Sequence, residues 1–256
     1  MSIIGNLKFK KSQGTFDFNS FAQEIEEAYL SRRKQESFTQ KKTFSPSTVG
    51  YGHGNCPRYW FIAFTGTEFD DTFTAKGMAA MWNGTQAHDR IQEVIGKTSY
   101  DVVFENEVKY EDPPIRGFVD FIISTEDGPV VGEIKTAKDE IWLMRQSKMA
   151  PSGNHLLQLL IYMKILKAAE GVFVYENKND HETLFIPIRV NERYIDIINE
   201  LFDWLREVRA AYDNNTLPEK VSTKGSTMCK NCPVKKTCWA ELGDGEIQIK
   251  KYEPPK

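Results

Sequence analysis

Residues 116–136, RGFVDFIISTEDGPVVGEIKT, hold two runs of β-branched and aromatic residues on either side of an Asp127-Gly128 pair. Phe118–Ile123 and Val130–Lys135 are predicted as strands of a hairpin closed at that pair, a dipeptide suited to tight β-turns. Side chains alternate along a strand, so Glu133 and Lys135 emerge on one side and Ile134 on the other. Asp120 interrupts an otherwise apolar strand, where a carboxylate is costly to bury without a compensating cation. Two carboxylates converging from paired strands suit a divalent metal with oxygen ligands. Lys135 beside them is placed to hold a water or a developing charge.

The rest of the chain must supply a core for that hairpin. With 256 residues and 40% hydrophobic content, one large domain is expected, with room for a small appendage. No run of about 18 apolar residues occurs, and MSIIGNLKFKK lacks the apolar stretch of a signal peptide, so a soluble cytoplasmic protein with no membrane partner is expected. A net charge of −3 exerts no global pull on nucleic acid, which leaves local basic patches. Lys220, Lys224, Lys230, Lys235 and Lys236 form one, with no acid between residues 220 and 239. A second set, Lys8, Lys10, Lys11, Arg32, Arg33, Lys34, Lys41 and Lys42, is interleaved with acids and reads as solvated surface.

Four cysteines in an intracellular chain argue for metal binding over disulfides, and three are bunched as Cys229-x2-Cys232-x5-Cys238. The fourth, Cys56, precedes Pro57 and Arg58 and taken alone reads as either a buried structural cysteine or a ligand.

Helical spacing predicts a helix over Phe18–Arg33 and another over Gly77–Ile95, whose stripe Met78, Met81, Trp82, Thr85, His88, Ile91 and Ile95 includes one histidine. Val102–Tyr110 alternates as a strand with Glu105 and Glu107 on one face, read mainly as solvated, with one of them an alternative auxiliary acid. Helices follow at Asp139–Met149 and His155–Ala169, separated by Pro151-Ser152-Gly153. The second places Gln158 and Tyr162 four residues apart on one face, and a glutamine among leucines needs partners for its amide. Strands Gly171–Tyr175 and Thr183–Val190 flank a turn containing Lys178, and an amphipathic helix spans Asn191–Asp213.

In order, CPR, GTQAH, GFVD…EIK, HLLQLLIY and CxxCx5C resemble the PD-(D/E)xK nuclease superfamily, and specifically its RecB lineage. The resemblance implies an α/β, restriction-endonuclease-like mixed central sheet flanked by helices, with a small C-terminal iron-sulfur region. It divides the chain into a helical extension (1–44), a nuclease core (45–215) and a cysteine-rich region (216–256) closed by Cys56. It implies that His88, Asp120, Glu133 and the main-chain carbonyl of Ile134 hold Mn²⁺ or Mg²⁺, with Asp120, Glu133 and Lys135 catalytic. The His155, Gln158 and Tyr162 run corresponds to the motif bordering the cleft in that lineage, so Gln158 and Tyr162, with Lys178, are expected DNA contacts.

An isolated cysteine paired with a distal CxxCx5C is similar to the four-cysteine exonucleases of the CRISPR-associated Cas-four family, their phage-encoded relatives and the AddB-type helicase-nucleases. The likeness implies a structural 4Fe-4S cluster on Cys56, Cys229, Cys232 and Cys238, with zinc the alternative and His53 a candidate zinc ligand. The implied activity is exonucleolytic, 5′ to 3′ on single-stranded ends or flaps, in DNA processing, recombination and repair, or CRISPR adaptation. Partners are single-stranded DNA and proteins of such a complex, in the host cytoplasm if phage-encoded. A non-catalytic DNA-binding subunit on a degenerate nuclease fold, or a zinc-ribbon adaptor, is the competing class.

Overall fold

The computed structural model describes residues 16–32, 38–70 and 73–255; Lys8, Lys10, Lys11, Arg33 and Lys34 of the N-terminal basic set lie outside them. The elements run α1 (Phe18–Ser31), β1 (Phe38–Thr39), a 3-10 turn (Gly52–Asn55), α2 (Pro57–Thr65), β2 (Thr67–Glu68), α3 (Ala75–Ile95), β3 (Val102–Tyr110), β4 (Ile115–Thr125) and β5 (Gly128–Ala137). There follow α4 (Asp139–Lys148), α5 (Gly153–Leu166), β6 (Glu170–Asn177), β7 (Thr183–Arg189), α6 (Glu192–Asp213), α7 (Thr227–Lys230) and a π-turn (Thr237–Glu241).

Five strands form one mixed sheet in the order β3-β4-β5-β6-β7, antiparallel except for the parallel β5–β6 pair that α4 and α5 connect. The mixed α/β architecture expected from the sequence is the one observed. β5 is central and covered on both faces: Val131 and Ile134 are each fully buried, one to either side. On one face Phe121, Ile134 and Val174 pack against Ile91 and Ile95 of α3. The other face carries the main core, including Leu157 and Ile161 of α5 and Leu201 and Phe202 of α6. The helix α5 buries eight consecutive residues, Leu156–Met163, which is why its apolar sequence shows no polar stripe. The hairpin turn differs by one position from the expected one: Thr125 pairs with Gly128, so Glu126 and Asp127 form the loop and Gly128, at φ +116°, opens β5.

Regular alternation fails at one place in the sheet. Val108 and Val119 face the main core, whereas Phe104 and Phe121, their neighbours across Glu105 and Asp120, pack on the α3 side. The register is constant on both sides, Phe104 opposite Phe121 and Asn106 opposite Val119, so no residue is inserted. Instead Glu105 takes φ +48°, unusual for a residue with a Cβ, and the hairpin changes face there. Phe121 then lies directly over Gly132, where a Cβ would come within 2.1 Å of its ring.

The segments outside the sheet are joined to the same core. Phe44 is fully buried and exchanges backbone hydrogen bonds with Pro114 and Arg116. Val234 and Ile249 near the C-terminus belong to the main core too, and the Tyr252 amide donates to the Asn55 carbonyl. Among the described residues no helix is long and apolar enough to cross a membrane.

Candidate active site

The β4–β5 ladder ends at Phe121–Gly132. One residue further the strands diverge, and the amide of Ile134 donates instead to the Asp120 carboxylate, at 2.6 Å from Oδ2. The notch opened by this divergence is a cleft of about 570 Å³, walled by His88, Glu105, Asp120, Glu133 and Lys135 with Gln158 and Tyr162 at its base.

From α3, His88 Nδ1 approaches Asp120 Oδ1 at 3.5 Å. Burial works against the charged imidazole, but the hydrogen bond and charge of Asp120 outweigh it and the His88 pKa rises above its usual value. Ligand atoms of His88, Glu105 and Asp120 all lie within 4.8 Å of one another. Gln92, one turn beyond His88, braces this group by donating to Glu105 Oε1 at 2.7 Å and to the Asp120 carbonyl at 2.9 Å.

Glu133 is 1% exposed. Its Oε1 accepts from Lys135 Nζ and, at 2.6 Å, from Gln158 Nε2. Its Oε2 is buried and has no hydrogen-bond partner among the described residues. Burial pushes the Glu133 pKa up to about 8; the Lys135 charge opposes the shift and the Asp120 carboxylate reinforces it. A buried carboxylate oxygen without a hydrogen-bond partner, in one cleft with two further acids and an imidazole, belongs to a donor set suited to a hard divalent cation.

The expected metal group was His88, Asp120 and Glu133; the close trio has Glu105 in place of Glu133, because Lys135 and Gln158 draw Glu133 toward themselves. Glu105 and Glu107, expected on one strand face, part company at the φ +48° kink, and Glu107 pairs with Arg116 and Lys109 on the surface. The positive φ had no signature in the sequence. The His88–Gln92 spacing of four, which puts a second polar group over the strand, was the available signal.

The side chain of Ile134 is buried on the α3 face, away from Glu133, as alternation requires. Gln158 and Tyr162 share a face of α5 beneath the cleft, at 7% and 2% exposure. Tyr162 sits under Gly117, where a Cβ would come within 2.8 Å of its hydroxyl, and burial raises its pKa. His155 bonds the Tyr175 hydroxyl at 2.7 Å and is held neutral by burial first and then by the Lys135 charge, with a pKa of about 3. Lys178 lies exposed in the β6–β7 turn, outside the residues that line the cleft.

Cys56, Cys229, Cys232 and Cys238 converge across 182 residues of sequence to line one small apolar cavity together with His53, Tyr59 and Trp239. Burial, and then the neighbouring thiols, push Cys56 up to about 11 and Cys232 up to about 12. Arg58 Nε donates to Cys238 Sγ at 3.2 Å. Of the lysine-rich tail, Lys220 is tied to Asp244 at 2.9 Å.

Residues 62–239 match the family model of the PD-(D/E)XK nuclease superfamily. No curated protein matches the chain. Among solved structures, an alkaline exonuclease (LHK-Exo) from Laribacter hongkongensis aligns over 75% of this chain and 95% of its own at 16% identity, with a TM-score of 0.51. The same exonuclease in complex with dAMP aligns over the same shares at 16% identity, with a TM-score of 0.53. Identities this low speak to the fold.

Proposed function

From the premise that the chain belongs to the PD-(D/E)XK nuclease superfamily, we propose that it is a divalent-metal-dependent deoxyribonuclease that degrades DNA from its ends. The observation that carries this reading is the buried, unpartnered Oε2 of Glu133 beside the His88–Glu105–Asp120 group, with Lys135 Nζ at its shoulder. His88, Glu105, Asp120 and Glu133 would hold Mn²⁺ or Mg²⁺, with the Ile134 carbonyl as a further candidate. The cation supplies positive charge that polarises the scissile phosphodiester.

The remaining work falls to side chains. Lys135, now on Glu133, orients the attacking water and faces the charge that develops on the phosphate. Gln158 fixes Glu133, and Gln92 fixes Glu105. Phe118 and Arg116 at the rim, with Lys178 further out, are candidate DNA contacts. The likeness in fold to an alkaline exonuclease supports action at ends. Single-stranded ends or flaps with 5′ to 3′ polarity remain the proposed substrate and direction. Retention of Asp120, Glu133 and Lys135 in one cleft argues against a degenerate, purely DNA-binding fold.

We further propose that the four cysteines hold a 4Fe-4S cluster. The apolar cavity that all four cysteines line together supports this reading.

The test is digestion of end-labelled single- and double-stranded DNA with Mn²⁺ by wild type, Glu133→Ala and Lys135→Ala. Progressive shortening by wild type alone is expected; equal activity in all three ends the proposal. Anaerobically purified protein is expected to be brown, and a colourless protein with stoichiometric zinc would replace the cluster with a zinc site.

A further inference from the structure

The cysteine cavity has a charged neighbour that packing does not explain. Arg58 is 1% exposed, yet among the described residues no carboxylate lies within ion-pair distance of it; the charge of Asp244 acts on it only from further off, and that carboxylate is exposed and paired with Lys220 at 2.9 Å. Its Nη1 donates to the carbonyls of Pro218 at 2.7 Å and Asp244 at 3.0 Å, its Nη2 donates to the Gly243 carbonyl, and its Nε donates to Cys238 Sγ at 3.2 Å. Every acceptor but one is a neutral carbonyl. Arginine keeps its charge in any protein environment, and a buried charge without a close counter-charge is costly even when hydrogen-bonded. A negative charge in direct contact is available from the Cys238 sulfur once it is ligated as a thiolate.

Arg58 also lies next to the other end of the quartet in the chain. It follows Cys56-Pro57 at the start of α2, one residue beyond the proline that opens the helix after Cys56. The residue two positions after Cys56 thus bonds the sulfur of Cys238, tying together parts of the quartet 182 positions apart in sequence. Its remaining donors hold the 218 and 243–244 segments, which pair beside the cavity through the Pro218–Ile247 bridge.

We propose that Arg58 is the built-in counter-charge of the cysteine-bound cluster, a positioning residue that sets both how firmly the cluster is retained and how readily it accepts an electron. The inference rests on the cluster reading above. A 4Fe-4S core held by four thiolates is net negative, and one-electron reduction adds a further negative charge without making or breaking a bond. A fixed guanidinium on a ligand sulfur stabilises the reduced form more than the oxidised one, and so raises the reduction potential.

The experiment uses the full chain purified anaerobically, with iron and acid-labile sulfide quantified first. Wild type, Arg58→Gln and Arg58→Lys are then compared by dithionite titration with redox mediators, and by the rate at which a chelator bleaches the absorbance near ~400 nm. Arg58→Gln is expected to shift the midpoint potential to more negative values and to lose iron roughly tenfold faster or more, as changes beside metal ligands commonly do. Arg58→Lys, which keeps the charge, is expected to restore much of the potential but little of the retention. If Arg58→Gln yields no folded protein, Arg58→Lys alone decides, since one ammonium cannot hold Cys238 and three carbonyls together; wild-type retention in that variant overturns the proposal. Wild-type potentials in both variants also overturn it while leaving the cluster in place. A wild-type protein without iron removes the cluster reading and this role together.

Discussion

Asp120 accepts the Ile134 amide at 2.6 Å at the point where the β4–β5 ladder has already ended. The carboxylate thus replaces a strand partner while its other oxygen faces His88. Asp120→Asn keeps an acceptor for Ile134 but removes the charge; Asp120→Ala removes both. Both variants are expected to lose cleavage on the order of 100-fold or more. Asp120→Ala is expected to be the less stable by about 1–3 kcal/mol, the cost of a buried amide left unsatisfied. Urea denaturation of the two variants checks this, and equal stabilities would remove the structural role.

Glu105 and Glu107 are two residues apart on β3 but meet different partners, the first near His88 and Asp120, the second paired with Arg116 and Lys109. Ligand charge sets affinity for hard cations. Glu105→Gln is expected to weaken Mn²⁺ binding by roughly tenfold or more, a change of about 1.4 kcal/mol per power of ten. Glu107→Gln is expected to leave it unchanged. Calorimetric titration of both variants decides, and the reverse order would expel Glu105 from the site.

Metal uptake is expected to release protons. With its pKa pushed up to about 8, Glu133 carries a proton at neutral pH in the metal-free protein, and His88, also shifted upward by Asp120, holds its proton to higher pH than an ordinary imidazole. A cation on these atoms displaces those protons, so apparent affinity must rise with pH below about 8 and level off once Glu133 has ionised. Binding heats in two buffers of different ionisation enthalpy count the protons. A count of zero at pH 7 contradicts the assignment of Glu133 as a ligand.

The hairpin, the helix carrying His88 and the α5 pair Gln158 and Tyr162 were legible because each is a matter of spacing: period two along Val130–Lys135, and three or four along α3 and α5. Convergence of Cys56 with the distal triplet was legible from residue type. Glu105 was not. Its place depends on a single positive φ that exchanges the two faces of β3, and a glutamate gives no local sign of that conformation as a glycine would. The preference of Glu133 for Lys135 and Gln158 over the trio is likewise a balance of tertiary contacts, invisible in a one-dimensional pattern.

Gly132 is the partner that the displaced face of β4 requires. The Phe121 ring occupies the position of any Cβ at residue 132, with backbone on either side held by the ladder. Gly132→Ala is therefore expected to destabilise the protein by about 1–3 kcal/mol, as overpacking does. Combining it with Phe121→Leu is expected to recover part of that loss, since the two changes share one space. Thermal unfolding of the double-mutant cycle measures the coupling, and strictly additive effects would mean that the contact carries no strain.

Gln158 separates two roles that its position beneath the cleft leaves in competition. As a DNA contact, its loss would weaken substrate binding; as a brace for Glu133, it would slow cleavage and leave binding alone. It is buried and spends its amide on Glu133 Oε1 at 2.6 Å, so the second role is the expected one. Gln158→Leu keeps the side chain's bulk among the leucines of α5 but leaves Lys135 alone on that oxygen. A Glu133 free to turn no longer holds the cation in one place, and the cost is expected in kcat, on the order of 100-fold, with KM little changed. Fluorescence anisotropy of labelled single-stranded DNA without divalent metal provides the independent arm. Unchanged anisotropy binding with lost turnover assigns Gln158 to Glu133, whereas weakened binding with turnover intact at saturating DNA assigns it to the substrate.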